Sequence, residues 1–140
     1  MNETAQRTLV TGTDFVFVPI TDFDTAHDFY AGTLGLECSK RYPNGLGGEF
    51  ETGGVTIQVV DVAKIGRDFE PTKGAIAFRV DDVHEARAEL EAKGVEFMGD
   101  VLDSGVCHQA FFTDRDGNFL ILHHRYAPPG VMPPAPEHAD

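Results

Sequence analysis

Few side chains in this 140-residue chain suit chemistry at neutral pH, and most of them lie near its end. Phe111–His124 reads FFTDRDGNFLILHH, with Cys107 and His108 just upstream. His123, or His108 if the strand phase allows, is the candidate general base, because imidazole titrates near neutrality without help. Arg79 can stabilise a developing oxyanion. Nothing visible activates a nucleophile, and no paired carboxylates are read on the face that would hold a substrate. Cys107, His108, His123 and His124 carry metal-capable atoms. Successive strand residues point to opposite faces, however, so His123 and His124 cannot chelate one ion together. The remaining histidines, His27, His84 and His138, are scattered. Asp114, Asp116, Gly117 and Asn118 read as a tight turn: short polar side chains that bond their own backbone, and a glycine free to take positive φ.

These groups need strands and helices to hold them. Asp14–Ile20 (DFVFVPI) reads as a strand apolar on both faces. Thr21-Asp22 offers an N-cap to a helix over Asp24–Leu34, stopped by Gly35. Strands follow over Leu36–Tyr42, Glu49–Thr52 and Val55–Asp61, with a turn at Pro43-Asn44-Gly45 and a hairpin at Gly53-Gly54. Val62–Lys73 is a polar connector. The pattern then restarts: strand Ala75–Val80, a helix over Val83–Lys93 capped by Asp81-Asp82 and stopped by Gly94, strand Val95–Val101, and a hairpin of Cys107–Thr113 and Asn118–His124. Met1–Thr13 is expected to be flexible, and Ala127–Asp140, with five of the eight prolines, to be an extended tail.

The halves superimpose as sequence. Phe15–Tyr30 matches Ala75–Leu90 at an offset of 60, pairing Ile20 with Val80, Asp22 with Asp82 and Ala26 with Ala86. Gly35 meets Gly94 after one deletion, and Gln58 meets Ile121 at an offset of 63. The expected fold class is α+β: two βαβββ modules, about 14–62 and 74–126, in a single domain over 14–126. Their sheets would curve around a cleft as one mixed surface.

The net charge of −12 excludes a phosphate-neutralising patch, so no nucleic acid is expected, and it favours cationic ligands. No apolar run is long enough for a membrane span, and the polar N-terminus has no signal-peptide core. Cys38 and Cys107 lack CxxC spacing. A cytoplasmic location is expected.

Pro19–Glu37 (PITDFDTAHDFYAGTLGLE), Phe78–Phe97 (FRVDDVHEARAELEAKGVEF) and Phe111–Leu122 (FFTDRDGNFLIL) resemble the signature stretches of the vicinal oxygen chelate superfamily, which holds glyoxalases, bleomycin resistance proteins and extradiol dioxygenases. Arg115 stands where the family hairpin usually has proline. The resemblance runs from about Asp14 to Arg125. It implies the two-module fold, a homodimer, and in the enzymes a divalent metal held by His, Glu or Gln from the first and last strands of each module. Those positions fall here on Phe15, Gln58, Ala75 and Ile121. Only Gln58 has a lone pair to offer, so no metal and no cofactor is expected.

Strand parity gives the set that would line the cleft: Phe15, Phe17, Thr56, Gln58, Val60, Ala75, Ala77, Arg79, Phe119, Ile121 and His123. One of Phe111 and Phe112 joins them, parity leaving the choice open, with Phe112 carried here in the lining set. Val16, Val18, Ile57, Val59, Ile76, Phe78, Leu120 and Leu122 face the helices. Apolar walls with a few polar groups describe a small-molecule pocket. The same aromatics could instead fill the cleft themselves. Three functions remain open: a binding protein that sequesters an aromatic or cationic compound such as an antibiotic, a metal-independent lyase, isomerase or hydrolase using His123, and a metal-dependent glyoxalase- or dioxygenase-like enzyme.

Overall fold

The structure, a computed structural model, describes residues 9–132. Met1–Thr8 of the expected flexible N-terminus and Pro133–Asp140 of the expected tail lie outside the described residues. The first module runs β1 (Phe15–Ile20), α1 (Phe23–His27), β2 (Glu37–Arg41), β3 (Gly47–Glu51) and β4 (Thr56–Asp61). The second runs β5 (Ile76–Arg79), α2 (Val83–Ala92), β6 (Met98–Asp103), β7 (Cys107–Thr113) and β8 (Phe119–Arg125). Each forms a mixed four-stranded sheet, ordered β1-β4-β3-β2 and β5-β8-β7-β6. The first strand of each module pairs parallel with the last, and its other edge is unpaired among the described residues.

Both helices start on an aspartate. Asp22 accepts from Thr25 N at 2.9 Å and Asp82 from Glu85 N at 3.0 Å, which satisfies amides that have no partner inside the helix. The helices then diverge. After α1 the chain continues as a π-helical turn over Asp28–Thr33, where Leu34 N bonds to Phe29 O at 2.9 Å. The repeat explains this turn. Tyr30 and Leu90 are equivalent, and each closes its helix by accepting a late amide: Leu36 N bonds to Tyr30 O and Val95 N to Leu90 O. Six residues separate the first pair and five the second. The extra residue of module one is absorbed as a widened turn.

One hydrophobic core serves both modules. It takes Val18, Ile20, Phe50, Ile57 and Val59 from the first sheet and Ala110, Phe112, Leu120 and Leu122 from the second, with Phe29, Tyr30, Val83 and Leu90 from the helical segments between them. The helix-facing sides of both sheets therefore look inward, and their opposite faces turn away from the core. A polar clasp crosses the boundary. Tyr30 donates to Asp114 Oδ2 at 2.7 Å. Asn118, fully buried, donates from Nδ2 to Asp114 Oδ2 and to Pro19 O, and accepts from Thr72 N, each at 2.8 Å. The FFTDRDGN turn is thus also the joint between the modules.

Two of the differences from the sequence reading have a packing cause. Gly47 and Gly48 belong to β3, although glycine disfavours strands. A Cβ on Gly47 would sit 2.0 Å from Val59 O, and one on Gly48 2.6 Å from Lys40 O, so close backbone approach requires glycine at both positions. Val95–Phe97 is not strand: Val95 caps α2, and Phe97 turns inward with its ring 5.0 Å from that of Phe112. Strand β6 starts only at Met98.

Candidate functional site

The open face of the first sheet carries two cross-strand rows. Phe15 is in register with Thr56, and Thr56 with Glu51; Phe17 is in register with Gln58, and Gln58 with Glu49. Each row runs aromatic, polar, carboxylate. Phe15 and Phe17 are 51% and 41% exposed, far from the usual fate of a strand phenylalanine. Their exposure follows from parity: Val16 and Val18 use the helix side, and nothing among the described residues covers the other.

Hydrogen bonds fix both carboxylates. Ser39 Oγ donates to Glu51 Oε2 at 2.5 Å and Thr56 Oγ1 to Glu51 Oε1 at 2.7 Å. Together they hold the Glu51 carboxyl below the usual carboxylate range. Tyr42 donates its hydroxyl to Glu49 Oε2 and accepts from Gln58 Nε2 at 2.9 Å. Burial, followed by the Glu49 hydrogen bond, raises the Tyr42 hydroxyl. The expectation that no paired carboxylates share the lining face is therefore corrected. Glu49 and Glu51 lie on it, and the Glu-x-Glu spacing on one strand was the signal for them.

The second sheet has a different open face. Ala77 pairs with Ile121 and Arg79 with His123, and both Ala77 and Arg79 are exposed. Phe111 pairs with Ile121, and its ring stacks on Phe119 at 6.0 Å and 14°. Met98 and Leu102, about half-exposed, extend this apolar surface from β6. The placement of Phe112 is corrected: it is fully buried in the core against Phe29 and Phe97, and Phe111 takes the open face. Val60 is buried at the end of β4, opposite Pro19 and Gly47, and Ala75 lies exposed just before β5.

The histidines of the last hairpin divide between faces. His123 shares the open face with Arg79. His124 places Nδ1 3.0 Å from Val80 O, and His108 Nε2 lies 3.4 Å from Asp103 Oδ2 with its ring 5.2 Å from that of His84. Among the described residues no three His, Cys, Asp or Glu side chains form a group that could hold a metal. The positions that ligate metal in the resembling enzymes carry Phe15, Gln58, Ala75 and Ile121. Three have no donor atom, and Gln58, whose Nε2 donates to Tyr42, offers one neutral amide oxygen. This donor set does not fit a divalent transition ion.

Comparison with known proteins agrees with this architecture. The family model described as the glyoxalase/bleomycin resistance protein/dioxygenase superfamily matches residues 12–122. No curated protein matches. Among solved structures, a glyoxalase family protein from Bacillus anthracis is 25% identical, with a TM-score of 0.71 over 86% of this chain and 99% of that one. TnmS3, an antibiotic binding protein from a Streptomyces species, is 24% identical, with a TM-score of 0.70 over 85% and 99%. Lactoylglutathione lyase from Agrobacterium tumefaciens is 20% identical, with a TM-score of 0.69 over 83% and 95%. The last two likenesses concern the fold alone.

Proposed function

The chain belongs to the glyoxalase/bleomycin resistance protein/dioxygenase superfamily, and from that premise we propose that it binds a cationic aromatic small molecule without a metal, sequestering an antibiotic or toxin. The observation that carries this reading is the open face of the first sheet, where exposed Phe15 and Phe17 stand in register with the anchored carboxylates of Glu49 and Glu51. A planar ring can stack on the phenylalanines while its positive group meets the carboxylates. The net charge of −12 favours approach of such a ligand. That an antibiotic binding protein shares the fold is consistent with this role.

A ligand on one bare sheet face stays half-solvated. We therefore propose a homodimer in which the first-sheet face of one protomer opposes the second-sheet face of its partner. Gln58, with Val60 buried beside it, would then border the ligand on one side, and Ala75, Ala77, Arg79, Ile121 and His123, with Phe111, on the other. The exposed Met98 and Leu102 support burial of this second face. Cys38 and Cys107 are both free, which suits a cytoplasmic protein. Absence of a metal rests on the donor set, and metal analysis of the purified, chelator-free protein tests it. One tightly bound Zn, Ni, Mn or Fe per chain would overturn that part.

Calorimetric titration with matched cationic and neutral planar aromatics tests the binding. Preference for the cation, lost in Glu51→Gln, is expected; failure to bind either below about 1 mM counts against it. A second reading, a metal-independent lyase or isomerase, is favoured by the pairing of His123 with Arg79 on one open face. Turnover unchanged in His123→Ala would remove it.

A further inference from the structure

We infer that a cavity between the two modules, on the opposite side of the sheets from Phe15 and Phe17, is a second binding site for an amphipathic carboxylate. The cavity measures about 690 Å³, within the range of small-molecule pockets. Most of its walls are helix-facing residues that strand parity assigns to the core, Val16 and Ile57 from the first sheet, Ile76, Phe78 and Leu122 from the second and Leu90 from α2, while Ala77 and Arg79 border it from the unpaired edge of β5. Val16, Ile76 and Phe78 stay half-buried along it, whereas Ile57, Leu90 and Leu122 are buried behind them.

Two further features distinguish this cavity from a packing gap. The π-helical segment opens onto it, and Thr33, Leu34, Gly35 and Leu36 form one wall. The extra residue of module one therefore reshapes this wall, whereas the matching end of α2 in module two is regular. Widened π turns often occur where a helix serves a site. The cavity's charge is also opposite to that of the protein. Lys93 and, from the unpaired edge of β5, Arg79 border it against the single carboxylate of Glu89, in a chain of net charge −12. Lys93 Nζ reaches Thr33 O at 3.2 Å, and neither cation forms an ion pair among the described residues. Apolar walls and an unpaired ammonium at the rim select a guest with a hydrocarbon or aryl body and an anionic head.

This site shares with the open faces only Ala77 and Arg79 at the edge of β5, and the test separates the two. Decanoate and decanol are titrated into the full-length protein by calorimetry, with a cationic aromatic present or absent. Saturable decanoate binding below about 100 μM is expected, undisturbed by the cationic compound. Lys93→Gln should weaken decanoate about tenfold and leave decanol unchanged, since only the charge contact is lost. Ala86→Trp, placed on the α2 wall of the cavity, should weaken both guests by about tenfold or more, with folding checked by its melting curve. Decanoate binding weaker than about 1 mM, or equal loss of both guests in Lys93→Gln, overturns the proposal. So does a cavity filled by a second copy, in which case Ala86→Trp dissociates the dimer and decanoate does not bind.

Discussion

Replacing Asn118 with alanine should cost this fold more than removing most core methyl groups. The side chain is fully buried and makes three 2.8 Å hydrogen bonds, to Pro19 O, Asp114 Oδ2 and Thr72 N. Alanine leaves a backbone carbonyl and a backbone amide without partners and removes one donor from a carboxylate. Each orphaned group costs about 1–3 kcal/mol, and partial entry of water brings the expected sum to about 3–5 kcal/mol. That is a large share of the roughly 5–15 kcal/mol available to a domain, and corresponds to a fall in Tm of about 10–15 °C. Asn118→Asp tests the reasoning more sharply. It keeps the shape but turns an oxygen toward Asp114 and Pro19 O, so at pH 7 it should be at least as damaging as alanine. Urea denaturation of wild type and both variants, followed by circular dichroism, gives the three free energies. A loss below about 1 kcal/mol for alanine, or an aspartate variant equal to wild type, would refute the clasp as the joint between modules.

Other outcomes follow from the same structure. Gly47→Ala should destabilise by at least about 2 kcal/mol, because its Cβ would lie 2.0 Å from Val59 O. Gly54→Ala, with open space around it, should change stability by less than about 0.5 kcal/mol in the same urea experiment. Tyr30 is buried, and burial followed by the Asp114 charge holds its hydroxyl above the ordinary tyrosine range. The folded state therefore keeps a proton that the unfolded chain releases near pH 10. This contribution is complete below about pH 10 and is lost above it by about 1.4 kcal/mol per pH unit. Tyr30→Phe should flatten that alkaline decline while costing about 1–3 kcal/mol at pH 8, from the donor that Asp114 loses; an unchanged alkaline slope would refute the assignment.

The repeat, the helix caps and the strand faces were legible because they follow from periodicity and local chemistry. Val16, Val18, Ile57 and Val59 alternate with their neighbours, and alternation fixes a face. Phe111 and Phe112 are adjacent, equally apolar and equally strand-forming, so only the packing of Phe29 and Phe97 decides which goes inside. The clasp was read as a turn because its partners, Tyr30, Pro19 and Thr72, are 84, 99 and 46 residues away in sequence. Glu49 and Glu51 read as part of a strand, but which face they share depends on its register against β4, which strand propensity alone does not set. With β3 begun at Gly47, the register against Gln58 and Thr56 follows, and with it the acidic border of the aromatic face.

The most direct measurement is calorimetric titration of a cationic planar aromatic into wild type, Phe17→Ala and the Glu49→Gln/Glu51→Gln double variant. The account predicts saturable binding to wild type, about tenfold weaker in Phe17→Ala through lost stacking. The double variant should bind the cation no better than its neutral analogue. Cation binding that survives in both variants, or wild-type preference for the neutral analogue, would contradict it.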